Sequence, residues 1–197
     1  MKLVNKLQSA AMFGLDARIA LAIFGALSVI TGIVLYNVIQ DVKVTATITD
    51  LEEIGKAYDA YLLDTGTQIP IIDLRFLDVQ ELLVSNKLGW KGPYLTYEIV
   101  SNNVLKSSSY VKVHIFYRPG TDWGTSMNGT PNIALPASCD TSPCYIWPTV
   151  YIETELAKKI DKKVDGVLNG KSGNVRLNCG VDLCYVYYKY APAIIQP

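Results

Sequence analysis

The chain has 197 residues, half of them hydrophobic, with 18 basic and 18 acidic side chains and a mean hydropathy of +0.20. That length accommodates one domain with a real core plus an appendage. Zero formal charge with no basic block gives no electrostatic signal for nucleic acid, and the hydropathy is high for a wholly water-soluble protein.

In chain order, the first feature is "MFGLDARIALAIFG" (12–25), where Asp16 and Arg18 follow a glycine at the edge of an apolar run. From Ile19 to Ile39 there is no charge, and only Ser28, Thr31 and Asn37 are clearly polar. About 20 apolar residues are what a helix needs to cross the hydrocarbon layer. A core helix of a small domain would keep a polar face. The run therefore predicts a transmembrane helix. Lys2, Lys6 and Arg18 precede it, while Asp41, Asp50, Glu52 and Glu53 follow. The positive-inside rule then predicts a cytoplasmic N-terminus. A cleavable secretory signal would have a shorter apolar core and an A-x-A-like site, which "YNVIQDVK" does not offer. Within the run, Ala22, Gly25, Ser28 and Gly32 form a stripe of small residues that permits close helix contact. Such residues are common in any spanning helix.

Helical periodicity continues past the run. Leu51, Ile54, Tyr58, Tyr61 and Leu62 recur at three- and four-residue spacing, with Glu52, Glu53, Lys56 and Asp59 on the other side. Gly66 and Pro70 predict the stop. The β-branched stretch "VKVTATIT" (42–49) is the weak joint. If it holds, one helix of roughly 75 Å reaches from Leu15 to Leu63.

Strand signals follow. "SYVKVHIFYRPG" (109–120) alternates, with Val111, Val113, Ile115 and Tyr117 on one face and Lys112, His114 and Phe116 on the other. On that pattern His114 is a surface residue. "TVYIETE" (149–155) and "NVRLNCGVDLCYVYYKY" (174–190) predict further strands, the second as a hairpin. The Gly-, Pro- and Ser-rich segment between residues 118 and 144 reads as a long loop. "ELAKKIDKKV" (155–164) predicts a short helix facing inward through Leu156, Ile160 and Val164.

Four cysteines allow three connectivities. The short, turn-rich segments "CDTSPC" and "CGVDLC" favour local disulfides, Cys139 with Cys144 and Cys179 with Cys184. A four-cysteine zinc site is the alternative, at the wide end of ligand spacing. Catalytic constellations are missing: there is a single histidine and no GxSxG, Walker loop or GxGxxG. Asp161, Asp165 and Asn169 around Gly166 hint at a cation site but lack the middle ligand and closing glutamate of an EF-hand. Trp90, Trp123 and Trp147 read as core plugs or loop anchors rather than a ligand-stacking platform. The expectation is no enzyme and no cofactor.

A basic leader ending in glycine, an apolar helix, an amphipathic extension and a small β domain together resemble a type IV pilin or a type II secretion pseudopilin. "AYDAYLLDTGTQIP" (57–70) is similar to the end of the long pseudopilin helix, and "LGWKGPYL" (88–95) to the segment that follows it. "IDKKVDGVLNGKSGNVR" (160–176) resembles the Ile-Asp-x-Lys-x-Asp-Asp-Gly…Gly-x-Val-Arg stretch, without its second Asp. The likeness runs in order along nearly the whole chain. It implies an α+β fold with a long N-terminal helix, transmembrane in its first half, packed on a small antiparallel sheet. It divides the chain into a leader (1–14), the helix (15–65, spanning at 19–39) and a β domain (66–197).

The resemblance also implies a history. A prepilin peptidase would cut after Gly14, leaving Leu15 as a new, often methylated N-terminus. The chain would be a single-pass inner-membrane protein whose periplasmic domain becomes extracellular in a filament. Its partners would be other pilin or pseudopilin subunits. Asp16 and Arg18 would lie in the first turn, where Asp16 suits the helix end and could meet a free amine, or Arg18 before assembly. Two departures stand out. Ile19 occupies the fifth mature position, where the family carries glutamate, and Tyr36 stands where a proline is frequent. These point to a minor or tip subunit, to Asp16 taking over the glutamate's role, or to a leader that is not cut. A monomeric membrane-anchored binding module is the alternative reading.

Overall fold

A computed structural model describes residues 2–73, 75–124, 139 and 143–194, with the side chains of residues 2–13 and of Leu15 left out. The chain divides into two units, residues 1–42 and 43–197. One helix, α1 (Lys2–Thr65), runs through both. It includes the predicted leader and passes through Gly14 without a break. The weak joint at 42–49 is helical too. Threonine hydroxyls there bond back to carbonyls one turn earlier, Thr47 Oγ1 to Lys43 O at 2.9 Å and Thr49 Oγ1 to Thr45 O at 3.1 Å. This local bonding satisfies the hydroxyls without leaving the helix.

Residues 43–197 form the sheet domain. Its strands are β1 (Ile71–Ile72), β2 (Phe76–Leu77), β3 (Glu98–Ser101), β4 (Val104–Lys106), β5 (Val113–Pro119), β6 (Cys144–Glu153), β7 (Val175–Cys179), β8 (Leu183–Tyr188) and β9 (Ala191–Pro192). The helix α2 (Thr154–Asp165) follows β6 directly. All pairings are antiparallel. The strand order is β1-β2-β5-β6-β8-β7, with β4 of the β3–β4 hairpin pairing β5 and β9 pairing β6. The architecture is therefore α+β, a long N-terminal helix packed through its second half on an antiparallel sheet.

The main core lies between α1 and one face of the sheet. Leu51, Ile54, Tyr58 and Tyr61 of α1 are buried with Val113 and Ile115 of β5, Ile146 and Val150 of β6, and Leu177 and Val186 of β7 and β8. Every second residue of each strand points to this face, as the pleat requires. Burial of an aliphatic or aromatic side chain is worth about 1.5–3 kcal/mol, so this stripe holds the helix to the sheet.

The opposite face departs from expectation. The alternation in 109–120 reads as a solvated face through Lys112, His114 and Phe116, yet His114 and Phe116 are buried. Phe116 belongs to a second, aromatic layer with Trp123, Trp147 and Tyr187, flanked by Phe76, Tyr145 and Tyr185, and His114 packs beside Phe76, Phe116 and Tyr185 at its edge. Two buried arginines interleave with it. The Arg118 guanidinium carbon sits 4.8 Å from the Phe116 ring centre and 5.2 Å from Trp123, while Arg176 lies 6.0 Å from Trp123 and 5.5 Å from Trp147. Ring faces attract the cations, and the indole N–H groups donate to backbone carbonyls, Trp123 to Pro119 and Trp147 to Arg118. Burial pushes Arg118 down to about 10.

Candidate functional site

The first candidate element is the apolar part of α1. Residues 16–39 are exposed throughout, including Phe24, Leu27, Ile30 and Leu35. By length and composition this helix is able to cross a membrane. Its Ser28 and Thr31 hydroxyls are satisfied internally, Ser28 Oγ on Phe24 O and Thr31 Oγ1 on Leu27 O, both at 2.8 Å, as lipid surroundings demand. Phe24, Leu27, Ser28, Thr31, Gly32 and Leu35 line a shallow apolar groove along one side. Nothing lies within 4 Å of the Cβ positions of Gly14, Gly25 or Gly32, so a neighbouring helix could approach closely there. Of the small-residue stripe, Ser28 and Gly32 lie in this groove.

Asp16 and Arg18 are both exposed. No ion pair joins them among the described residues. The reason is geometric, since residues two apart on a helix point to nearly opposite sides. Asp16 is thus presented outward, beside Ile19. The predicted cleavage point lies at Gly14, with the Leu15 side chain outside the described residues.

The second element is the polar side of α1 in the domain, opposite the apolar stripe. Tyrosines from the sheet domain reach its carboxylates. Tyr110 Oη donates to Asp50 at 2.6 Å, Tyr188 Oη to Glu52 at 3.3 Å, Tyr94 Oη to Asp64 at 2.9 Å and Tyr190 Oη to Asp59 at 2.6 Å. Burial, then the adjoining carboxylate, raises the phenols of Tyr110 and Tyr190 well above their usual range. They remain donors at every physiological pH. Gly55 completes the arrangement: any side chain there would overlap the Tyr190 ring, which lies directly on the helix backbone. At the helix end Lys91 Nζ adds a 2.9 Å contact to Asp64, and Trp90 Nε1 donates to Glu81 O. The segment 88–95 thereby ties the end of α1.

The remaining sequence candidates serve the loops. Cys139 joins Cys144 and Cys179 joins Cys184, and no cysteine is free, so the zinc alternative has no thiolates. Asp165 accepts backbone N–H bonds from Asn174 at 2.8 Å and Val175 at 2.9 Å. Gly173, at φ 95°, leaves room for that carboxylate. Asp161 is fully buried and accepts the Asn169 N–H at 2.6 Å through Oδ2, while Oδ1 meets no hydrogen-bond partner. Amides thus occupy Asp161 Oδ2 and both Asp165 oxygens, and the described residues contain no cluster of three His, Cys, Asp or Glu side chains that could hold a metal. Burial raises the Asp161 carboxyl to about 6.

His114 Nδ1–H donates to Asn103 O at 2.6 Å, among Phe76, Phe116 and Tyr185. Burial keeps its imidazole below the usual value. Neither a hydroxyl nor a carboxylate contacts that ring among its described partners, so nothing there forms a nucleophile–base pair. Trp123 and Trp147 are buried plugs as expected, and Trp90 is half-buried. No family model, no curated protein and no solved structure matches this chain.

Proposed function

We propose that this protein is a minor subunit of a filament of the type IV pilus or type II secretion pseudopilus kind, held in the inner membrane by α1 before assembly. The observation that carries the reading is the single uninterrupted α1, exposed over residues 16–39, apolar over 19–39 and docked on the sheet over 43–65. A helix exposed in this way needs lipid or other helices around it, and a filament core of parallel helices supplies the second. In that core an isolated carboxylate costs several kcal/mol unless paired. Asp16, which forms no ion pair among the described residues, would meet the free amine of a neighbouring subunit.

The test is assembly at equal membrane levels. Asp16→Ala should insert and fold normally, because residues 19–39 suffice to span. It should enter sheared filaments less well than the parent. Asp16→Glu should restore most of that, and Ile19→Glu should rescue the Asp16→Ala chain. Equal assembly of Asp16→Ala and the parent would remove the charge from the mechanism.

A further inference from the structure

Residues 166–174 join α2 to β7, and within them stands the dipeptide Asn169-Gly170. Asn169 is exposed and opens a turn, with Ser172 N donating to its carbonyl at 3.2 Å. Its side chain is folded back over that turn. Lys171 N donates to Oδ1 at 3.2 Å, and Nδ2 donates to Ser172 Oγ at 2.6 Å. Gly170 anchors the turn through its carbonyl, which accepts Leu177 N at 2.9 Å, while its own N–H enters no hydrogen bond among the described residues.

These contacts bear on one reaction. A side-chain carbonyl that accepts from the N–H two residues on lies folded across the peptide between them. The nitrogen of that peptide is Gly170 N, so Asn169 Cγ and an unbonded nucleophile are neighbours. Glycine brings no Cβ to block their approach. The Lys171 N–H is placed to stabilise negative charge that develops on Oδ1, and the Ser172 hydroxyl lies at the nitrogen that must leave.

We propose that Asn169 is a site of spontaneous deamidation through a cyclic imide, with water as the co-reactant. Gly170 N gives up its proton to solvent and bonds to Asn169 Cγ. The Cγ–Nδ2 bond then breaks, and the nitrogen takes up a proton and leaves as ammonia. Water opens the imide ring at the side-chain carbonyl to give aspartate, or at the backbone carbonyl to give isoaspartate. Nothing is oxidised or reduced. The product carries a new negative charge beside Asp161, whose Oδ2 accepts Asn169 N at 2.6 Å. Isoaspartate also lengthens the backbone, just before Lys171 O accepts Trp123 N at 3.1 Å. The change therefore reaches a support of the aromatic layer.

The test uses the full chain, solubilised in detergent and kept folded at mildly alkaline pH in water enriched in heavy oxygen. Peptide mapping by mass spectrometry then separates aspartate from isoaspartate at each position. It also keeps Asn169 apart from Asn128-Gly129, the same dipeptide outside the described residues. Asn86 and Asn102 are exposed too but precede Lys87 and Asn103, and they serve as comparators. The expected result is conversion of Asn169 severalfold faster than either comparator, with heavy oxygen in the product and isoaspartate present. An Asn169 amide as durable as those of Asn86 and Asn102 overturns the proposal. Aspartate without isoaspartate overturns the cyclic route.

Discussion

At the residue scale, two positions carry chemistry that composition hides. A glycine inside a helix costs about 1 kcal/mol relative to alanine, so Gly55→Ala would ordinarily stabilise. Here the added methyl meets the Tyr190 ring, and the tyrosine must leave both the helix surface and Asp59. We expect a net loss of about 1–3 kcal/mol in chemical denaturation of the detergent-solubilised chain. Asp161 gives a pH signature. Its folded carboxyl, raised to about 6, lies above the ordinary 3.8, so the native state keeps a proton that the unfolded chain releases. The associated stability is complete below the unfolded value and is lost as pH rises from about 4 to about 6. Above that range the parent has given up on the order of 3 kcal/mol, at about 1.4 kcal/mol per pKa unit. Asp161→Asn keeps an acceptor for Asn169 and never ionises. Its stability relative to the parent should therefore climb between pH 4 and pH 6.5 and then level off, as read from paired denaturation curves. A flat difference would show that the carboxylate is better solvated than its burial indicates.

Among the elements, α1 in the domain is held by an apolar stripe on one side and by tyrosine–carboxylate bonds on the other. Hydrogen bonds to charged groups contribute about 1.5–3 kcal/mol each. Tyr110→Phe and Tyr190→Phe should each cost close to that amount in unfolding free energy, and together nearly the sum. Their carboxylates, Asp50 and Asp59, lie nine residues apart on α1, about 14 Å, beyond the range at which neighbours couple. The apolar stripe was legible because Leu51, Ile54, Tyr58 and Tyr61 repeat with the helical period. The tyrosine bonds were not, since their partners lie as far as 136 residues away in sequence. β5, β6 and the β7–β8 hairpin were legible from alternation, although β6 begins earlier than its pattern, at Cys144, and α2 starts at Thr154. The two-residue strands β1, β2 and β9 are too short to show a period. His114 was misplaced for a specific reason. Alternation tells which residues share a face, but not whether a further layer covers that face, and here Trp123 and the arginines do.

For the whole molecule, the candidate site was legible chiefly where chemistry is written locally. The apolar run and the local cysteine pairs appear in the structure as the sequence suggests. Asp16 and Arg18 form no ion pair among the described residues, because residues two apart on a helix point to nearly opposite sides. What remains is the history that a filament subunit must have: release from a leader, then transfer of α1 from lipid into a bundle. Cleavage comes first and depends on the full N-terminal signal, so it tests the account before any filament is seen. The decisive measurement is the intact mass of the chain extracted from membranes of a host with active prepilin peptidase. The account predicts loss of residues 1–14, a new N-terminus at Leu15, and an unprocessed mass when Gly14 is replaced by a bulky residue. A full-length mass in the unaltered chain would contradict it and leave a membrane-anchored domain that does not assemble.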